Sequence, residues 1–485
     1  MDTLGNSIQT ETIQLGPIDA QFTSLTAPLV FIYGNSDSSA EFMPTDKLKH
    51  SLYVTLQRFP VLVGHLKEKQ YGLDEIIIDK DDLNLPTFEE SASDVHYDDI
   101  KTNNFHWTSW PPERPNAMSL VTHHDVSSKA RLLQIHISRL RDNSGVILSV
   151  SILHSIMDGH GFFAFMNVWS RTCRLGDSTS PVAYLLNRSV IADSLPADRK
   201  PIDKAVFDIF SAFNPVAELL AWVSHRTRSW VLKKGVEAAD GEAHFFRIPG
   251  DALDRLRSAV RQHVPQHTRI SNNDLLVSLI CHTIACAQKE VSDINSQGAV
   301  AGAISSMWEF MVGKKPRHFG SFVVCDIRCR VGILDKNYMG NAVVAPIAQM
   351  PLDRLSEQIT VESLAHGARC VRSAVDNIDG QYVRGYLDAY EKHPTAFARS
   401  MVASGADRNL LSITNVTRFN VYDSDFGYGQ PAWVCPPPIF APGVAVLLPS
   451  AESTTDVVAY VIAEKPVMER MLENRFWMDV VEVIN

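Results

Sequence analysis

Val146-Ile147-Leu148-Ser149-Val150-Ser151-Ile152-Leu153-His154-Ser155-Ile156-Met157-Asp158-Gly159 is the stretch on which the reading of this chain turns. Its first eight residues are mostly β-branched and aliphatic, the composition of a buried strand. Gly161-Phe162-Phe163-Ala164-Phe165-Met166-Asn167-Val168-Trp169 follows, apolar all round, and predicts a buried helix. Between strand and helix stand one histidine, an aspartate four residues on, and a glycine. A strand-end histidine has one face packed and one face open. That is where a general base belongs, because the scaffold fixes the ring while the loop admits substrate. A packed histidine without a chemical role is the competing reading of so short a pattern. Asp158 sits in too tight a turn to be a second base and reads as the partner of a buried cation. Gly159 reads as a residue supplying a backbone angle that others resist.

The rest of the composition sets bounds. A chain of 485 residues is expected to form two domains. A net charge of −10 argues against nucleic acid as a partner, since phosphate neutralisation needs basic surface. Seven cysteines are scattered without a C-x-x-C pair, and Cys325 and Cys329 have no neighbouring histidines, so no metal site is expected. Met1-Asp2-Thr3-Leu4-Gly5-Asn6 lacks the basic and apolar regions of a secretory signal, and no apolar run approaches the ~20 residues of a membrane span. The expectation is a cytoplasmic protein with reduced thiols.

Along the chain, strands are predicted around Ile13 and over 29–33. A helix capped by Thr45 or Asp46 runs to about Arg58, and a strand starts over 62–66. Residues 80–114 are polar and proline-dotted and read as long loops. A hairpin over 132–153 delivers His154. A helical stretch over 202–232 reads as an inter-domain crossover, with a membrane-surface helix as the alternative. The second half repeats the order of strands and helices. It has strands over 244–248, 321–331, 342–347, 410–414, 443–448 and 456–462, and helices over 251–261, 271–287, 354–376, 380–395 and from Val467. Ser271 and Asp274 form a capping box. The reading is α+β, two domains of mixed sheet plus helices: 1–200, a crossover at 201–240, and 241–485.

Asp425-Phe426-Gly427-Tyr428-Gly429 closely resembles the D-F-G-W-G block of the BAHD acyltransferases, and His154 to Gly159 matches their H-x-x-x-D-G pattern. Four further blocks fall in the family's order. They are Ser51-Leu52 through Phe59-Pro60 to Gly64-His65-Leu66, Asp326-x-Arg328-x-Arg330, Tyr338-Met339-Gly340-Asn341, and Thr414-Asn415-Val416 at the T-S-W position. Tyr428 replaces a tryptophan and keeps the aromatic bulk, whereas Val416 replaces the tryptophan of T-S-W, which puts the shape of the acceptor pocket in question. Leu153 precedes His154, so the double histidine of carrier-dependent condensation domains is absent, which favours free acyl-CoA. The overall pattern is similar to the fungal branch, including the trichothecene acetyltransferases.

The resemblance implies two chloramphenicol-acetyltransferase-like domains in a monomeric enzyme. It implies acyl-CoA, acetyl-CoA above all, as co-substrate, no permanently bound cofactor, and a small-molecule alcohol as acceptor. His154 would be the base, since an imidazole ordinarily titrates near pH ~6.5 and so suits proton transfer at neutral pH. Thr414 would meet the oxyanion, a plain strand-end threonine being the competing reading. Asp158 and Asp425 would be structural carboxylates, with Arg328 as partner of Asp158. Arg257 and Ser258 fall where the family binds CoA phosphate, and Lys314, Lys315 and Arg317 form a second basic cluster. A solvated surface competes with binding for both clusters. No nucleophile elbow of the G-x-S-x-G kind is present, so direct transfer with both substrates bound is expected. The alternatives are an N-acyltransferase, a carrier-dependent condensation-like enzyme, or a catalytically silent binding protein.

Overall fold

A computed structural model describes residues 7–22, 25–69, 73–113, 115–120, 130–176, 184–185, 187–200, 240–296, 318–328, 330, 336–355, 358–392 and 409–484. Residues 201–239 of the expected crossover, Lys314, Lys315, Arg317 and Cys329 lie outside the described residues. In the first half the strands are β1 (Glu11–Gln14), β2 (Thr26–Gly34), β3 (His65–Lys67), β4 (Glu75–Ile78), β5 (Thr87–Ala92), β6 (Leu133–Arg139) and β7 (Gly145–Leu153). In the second they are β8 (Gly241–Ile248), β9 (His318–Val323), β10 (Cys325–Asp326), β11 (Val343–Val344), β12 (Ile347–Pro351), β13 (Leu410–Asn415), β14 (Trp433–Cys435), β15 (Val444–Pro449), β16 (Val457–Glu464) and β17 (Glu482–Val483).

Two large mixed sheets organise the molecule. One has the order β14-β2-β7-β6-β5, the other β12-β9-β13-β15-β16-β8-β17. In the first, only β5 and β6 run parallel. In the second, β13 runs parallel to both β9 and β15. The protein is thus a two-domain α+β fold, each domain pairing one mixed sheet with helices.

β7 is buried along its whole length because both its faces are covered. Val146, Leu148, Val150 and Ile152 enter a core shared with the helices Thr45–Leu56 and Gly159–Leu175. Ile147 points the other way, into an apolar layer that also holds Phe245, Val458 and Tyr460 of the second sheet. The halves also exchange chain. β14 pairs with β2, and Phe426 and Val434 enter the first core. Ile18, Ile191 and Leu195 enter the second.

Several expectations fail for local reasons. Residues 80–114 are not all loop: β5 forms the edge of the first sheet and Tyr97–Thr102 is a helix with a capping box. An edge strand with no fully buried residue needs no apolar alternation, so its sequence reads as loop. The strand expected over 321–331 stops at Val323, resumes as β10, and ends before Arg328. The Asp326 side chain accepts the Arg328 N–H at 2.9 Å, a local turn. Thr45 does not cap its helix; Pro44 precedes it, and the Thr45 hydroxyl bonds Glu90 at 2.6 Å instead. At 62–66 a single turn of 3₁₀ helix, Pro60–Val63, comes first and the strand starts only at His65. Among the described residues, no helix is long and apolar enough to cross a membrane.

Candidate active site

The end of β7 and the start of the helix Gly159–Leu175 hold the candidate site. His154 follows β7 directly, and its backbone N–H donates to Leu25 O at 2.9 Å. Its side chain is half-buried. Phe22 lies face to face with the imidazole, ring centroids 3.9 Å apart and planes 7° apart. Nδ1 is buried and makes no hydrogen bond among the described residues. Burial pushes the imidazole below the usual histidine range. Its own carbonyl, Asp158, Asn341 and Asp19 act in the opposite direction without offsetting this. The ring is therefore neutral at pH 7 and able to accept a proton.

Asp158 caps the helix, its Oδ1 accepting the Gly161 N–H at 3.2 Å. Arg328 grips it with both ends of the fork, Nη1 to Oδ2 at 2.9 Å and Nη2 to Oδ1 at 3.1 Å, and Ala342 N–H adds 3.0 Å. Burial alone would raise this carboxyl, but Arg328 and the two backbone donors outweigh it and hold the pKa below the ordinary range. Arg328 spends its other N–H bonds on Tyr338 O at 3.0 Å, Gly340 O at 2.7 Å and Asp326 Oδ1 at 3.1 Å. All five guanidinium donors thus have an acceptor, which is what a buried arginine requires. Asp158 faces this cation and not the His154 ring.

The reading of Gly159 needs correction. It is the first helical residue and does not have a positive φ. A Cβ there would stand 3.0 Å from the Phe419 ring. Space, rather than backbone angle, is what glycine supplies. Gly161, not singled out in the sequence, is tighter still: a Cβ would meet Met339 O at 2.5 Å.

A second buried pair escaped sequence reading. Asp19 Oδ2 accepts from Arg188 Nε at 3.1 Å and from Gly16 N–H at 2.7 Å. Arg188 also donates to Ile156 O inside the motif turn. Asn341, from the Tyr338-to-Asn341 block, donates through one amide nitrogen to Asp19 Oδ1 at 2.8 Å and to His154 O at 2.9 Å. Only a carboxylate among apolar neighbours, Ile18-Asp19-Ala20, hinted at this in the sequence.

Thr414 lies near the end of β13, half-buried, with no hydrogen bond of its hydroxyl among the described residues. Its neighbours Leu411 and Ile413 enter the second core, so Ser412 and Thr414 take the opposite face. Five residues on, Phe419 reaches Gly159. Arg257 and Ser258 stand on the helix Gly250–Arg261 and line an open cleft with Arg261, His267 and Arg269. Arg257 is partly engaged, by Asp254 at 2.6 Å and Asn272 at 3.1 Å.

Asp425 lies elsewhere. Its Oδ1 accepts from the N–H groups of Gly427, Tyr428 and Gly429 at 2.7, 3.1 and 3.1 Å, and its Oδ2 from Arg174 at 2.9 Å. Gly427 and Gly429 have φ of +98° and +95°, which only glycine adopts readily. Phe426 is fully buried edge-on to Trp169, and Tyr428 meets Phe42 and lies under Lys47. Arg174 is 16 residues from Asp158 on the same helix, about 24 Å at 1.5 Å per residue. The block is a buckle at the helix's far end.

Comparison with solved structures gives the class. The chain superposes on F. sporotrichioides TRI101 complexed with coenzyme A and T-2 with a TM-score of 0.67 at 16% identity, covering 98% of this chain and 100% of that one. The fold is that of the chloramphenicol-acetyltransferase-like acyltransferases. The family follows from sequence. The profile of the Transferase family matches residues 5–237 and 314–476. The chain is 25% identical over 484 residues to putrescine hydroxycinnamoyltransferase 1 of Oryza sativa subsp. japonica, covering 96% and 94% of the two chains. It is 23% identical over 401 residues to the BAHD acyltransferase DCR of Arabidopsis thaliana, covering 80% and 70%. The chain belongs to this family, the BAHD acyltransferases, and is an acyl-CoA-dependent acyltransferase.

Proposed function

We propose that this enzyme transfers an acetyl group from acetyl-CoA directly to a hydroxyl of a small specialised metabolite, with His154 as general base. The observation that carries the reading is a half-buried imidazole at a strand end, with its turn locked by two buried ion pairs. His154 takes the hydroxyl proton as the alcohol oxygen attacks the thioester carbonyl. The C–S bond then breaks, and the proton passes to the departing thiolate. The Thr414 hydroxyl, with no hydrogen bond among the described residues, is the donor for the transient oxyanion. Arg257 and Ser258 receive CoA phosphate at the mouth of their cleft, with Arg261 and Arg269 adding positive charge. The enzyme acts as a monomer in the cytoplasm.

A second reading, transfer to an amine, is supported by relatives named for nitrogen acceptors, among them the putrescine hydroxycinnamoyltransferase and a 5-hydroxyanthranilate N-hydroxycinnamoyltransferase of Avena sativa. The neutral base serves either acceptor. The test is turnover of acetyl-CoA and hydroxycinnamoyl-CoA against panels of alcohols and amines, with products identified by mass spectrometry. Acetylated alcohols are the expected products. Exclusive amide formation, or turnover of hydroxycinnamoyl-CoA alone, would replace the acceptor or the acyl group respectively.

A further inference from the structure

We propose that Phe22, on the N-terminal turn Asp19–Phe22, is a positioning residue for His154: its ring fixes the plane of the imidazole while Asp19, acting through Asn341, fixes the main chain beneath it. The torsion that turns a histidine ring is broad, so backbone placement alone leaves its plane free. Phe22 removes that freedom. A parallel contact at 3.9 Å and 7° covers one whole ring face. The phenyl ring offers neither donor nor acceptor, so its effect is on plane and on water access.

The turn that carries Phe22 is itself tied down. Asp19 is held by Gly16 N–H and Arg188. Gln21 accepts from the Tyr386 hydroxyl at 2.6 Å, on the helix Gly380–Lys392 of the second half. Asn341 joins Asp19 to the His154 carbonyl. Leu25 O receives the His154 N–H just beyond. The imidazole is thus fixed by the start of the chain as well as by the motif that follows it. The charges that act on it through space are Asp158 from the motif turn and Asp19 from the N-terminal turn. Each is paired, with Arg328 and Arg188 respectively. Removing Phe22 therefore changes solvation of the ring without freeing a charge.

This inference rests on the proposed role of His154, and its test separates the two. Phe22→Leu keeps apolar volume but loses the ring plane, whereas Phe22→Tyr keeps the plane. The titration of His154 is followed by NMR of ¹³C-labelled histidine, assigned with His154→Gln, in protein without substrate. Phe22→Leu is expected to move the midpoint up towards the ordinary value of about 6.5 as water reaches the ring. It is expected to lower kcat about 10-fold or more while KM for acyl-CoA stays within about twofold, because a misplaced catalytic group costs rate. Phe22→Tyr should behave as the unaltered protein in both. In the unaltered protein, the His154 Cε1 proton should lie upfield of the other histidines, inside the ring current of Phe22. An ordinary chemical shift there would overturn the stack whatever the variants do. A Phe22→Leu midpoint and kcat equal to those of the unaltered protein would overturn the proposal. So would equal losses in Phe22→Leu and Phe22→Tyr with an unmoved midpoint. The titration decides the positioning whether or not His154 proves to be the base.

Discussion

The helix Gly159–Leu175 carries an aspartate–arginine tie at each end, and the two ties differ in kind. At its start, Asp158 and Arg328 are both almost fully buried, their side chains 4% and 2% exposed. At its end, Arg174 and Asp425 are 42% and 22% exposed. Both join the halves of the chain, and both aspartates accept several backbone N–H groups as well. Burial decides what each is for. A desolvated pair is costly to break, because the surviving charge has no water to turn to. A pair open to solvent is worth little as a charge interaction, so what matters at Asp425 is the loop it winds. The first tie sets the geometry under His154. The second buckles a loop to the outside of the first core.

The comparison is broken most sharply at Asp158. Asp158→Asn leaves Arg328 buried with one partner gone and should destabilise the fold by ~3–5 kcal/mol, seen as a lower melting temperature together with a lower rate. A complete loss of rate with an unaltered melting curve would mean that the carboxylate takes part in the chemistry. The smaller effect lies at the far end. Arg174→Ala should cost no more than ~1 kcal/mol and leave turnover unchanged, since three backbone donors still hold Asp425. A loss of stability at Arg174 equal to that at Asp158 would erase the distinction between the ties.

The strand, turn and helix around His154 were legible because the strand reads as one buried apolar run and the helix carries a wide apolar face. The loop from Asp425 to Gly429 was legible through its resemblance to the family's block, and its two glycines do adopt positive φ. Gly159, expected to need an unusual backbone angle, is instead constrained through space by Phe419, a neighbour from the second half. Distance along the chain hid the rest. Nothing near Asp19 announces Arg188, and nothing near Phe22 announces His154; these contacts exist only once β2 and β7 are paired. The break after Val323 was hidden for a related reason. Val323 donates to Pro346 O at 3.0 Å, and that proline, having no N–H, interrupts the partner strand between β11 and β12.

His154 is the proposed base. His154→Ala removes the imidazole but none of the hydrogen bonds at Asp158, Asp19 or Asn341, because those reach only the main chain at position 154. Acyl transfer from acetyl-CoA by this variant, measured beside its melting curve, tests the claim most directly. The expected result is a folded protein with a cooperative melting transition, lowered at most by the lost stack on Phe22, and transfer reduced by ~10²–10⁴. Transfer near that of the unaltered protein would show that the proton goes elsewhere.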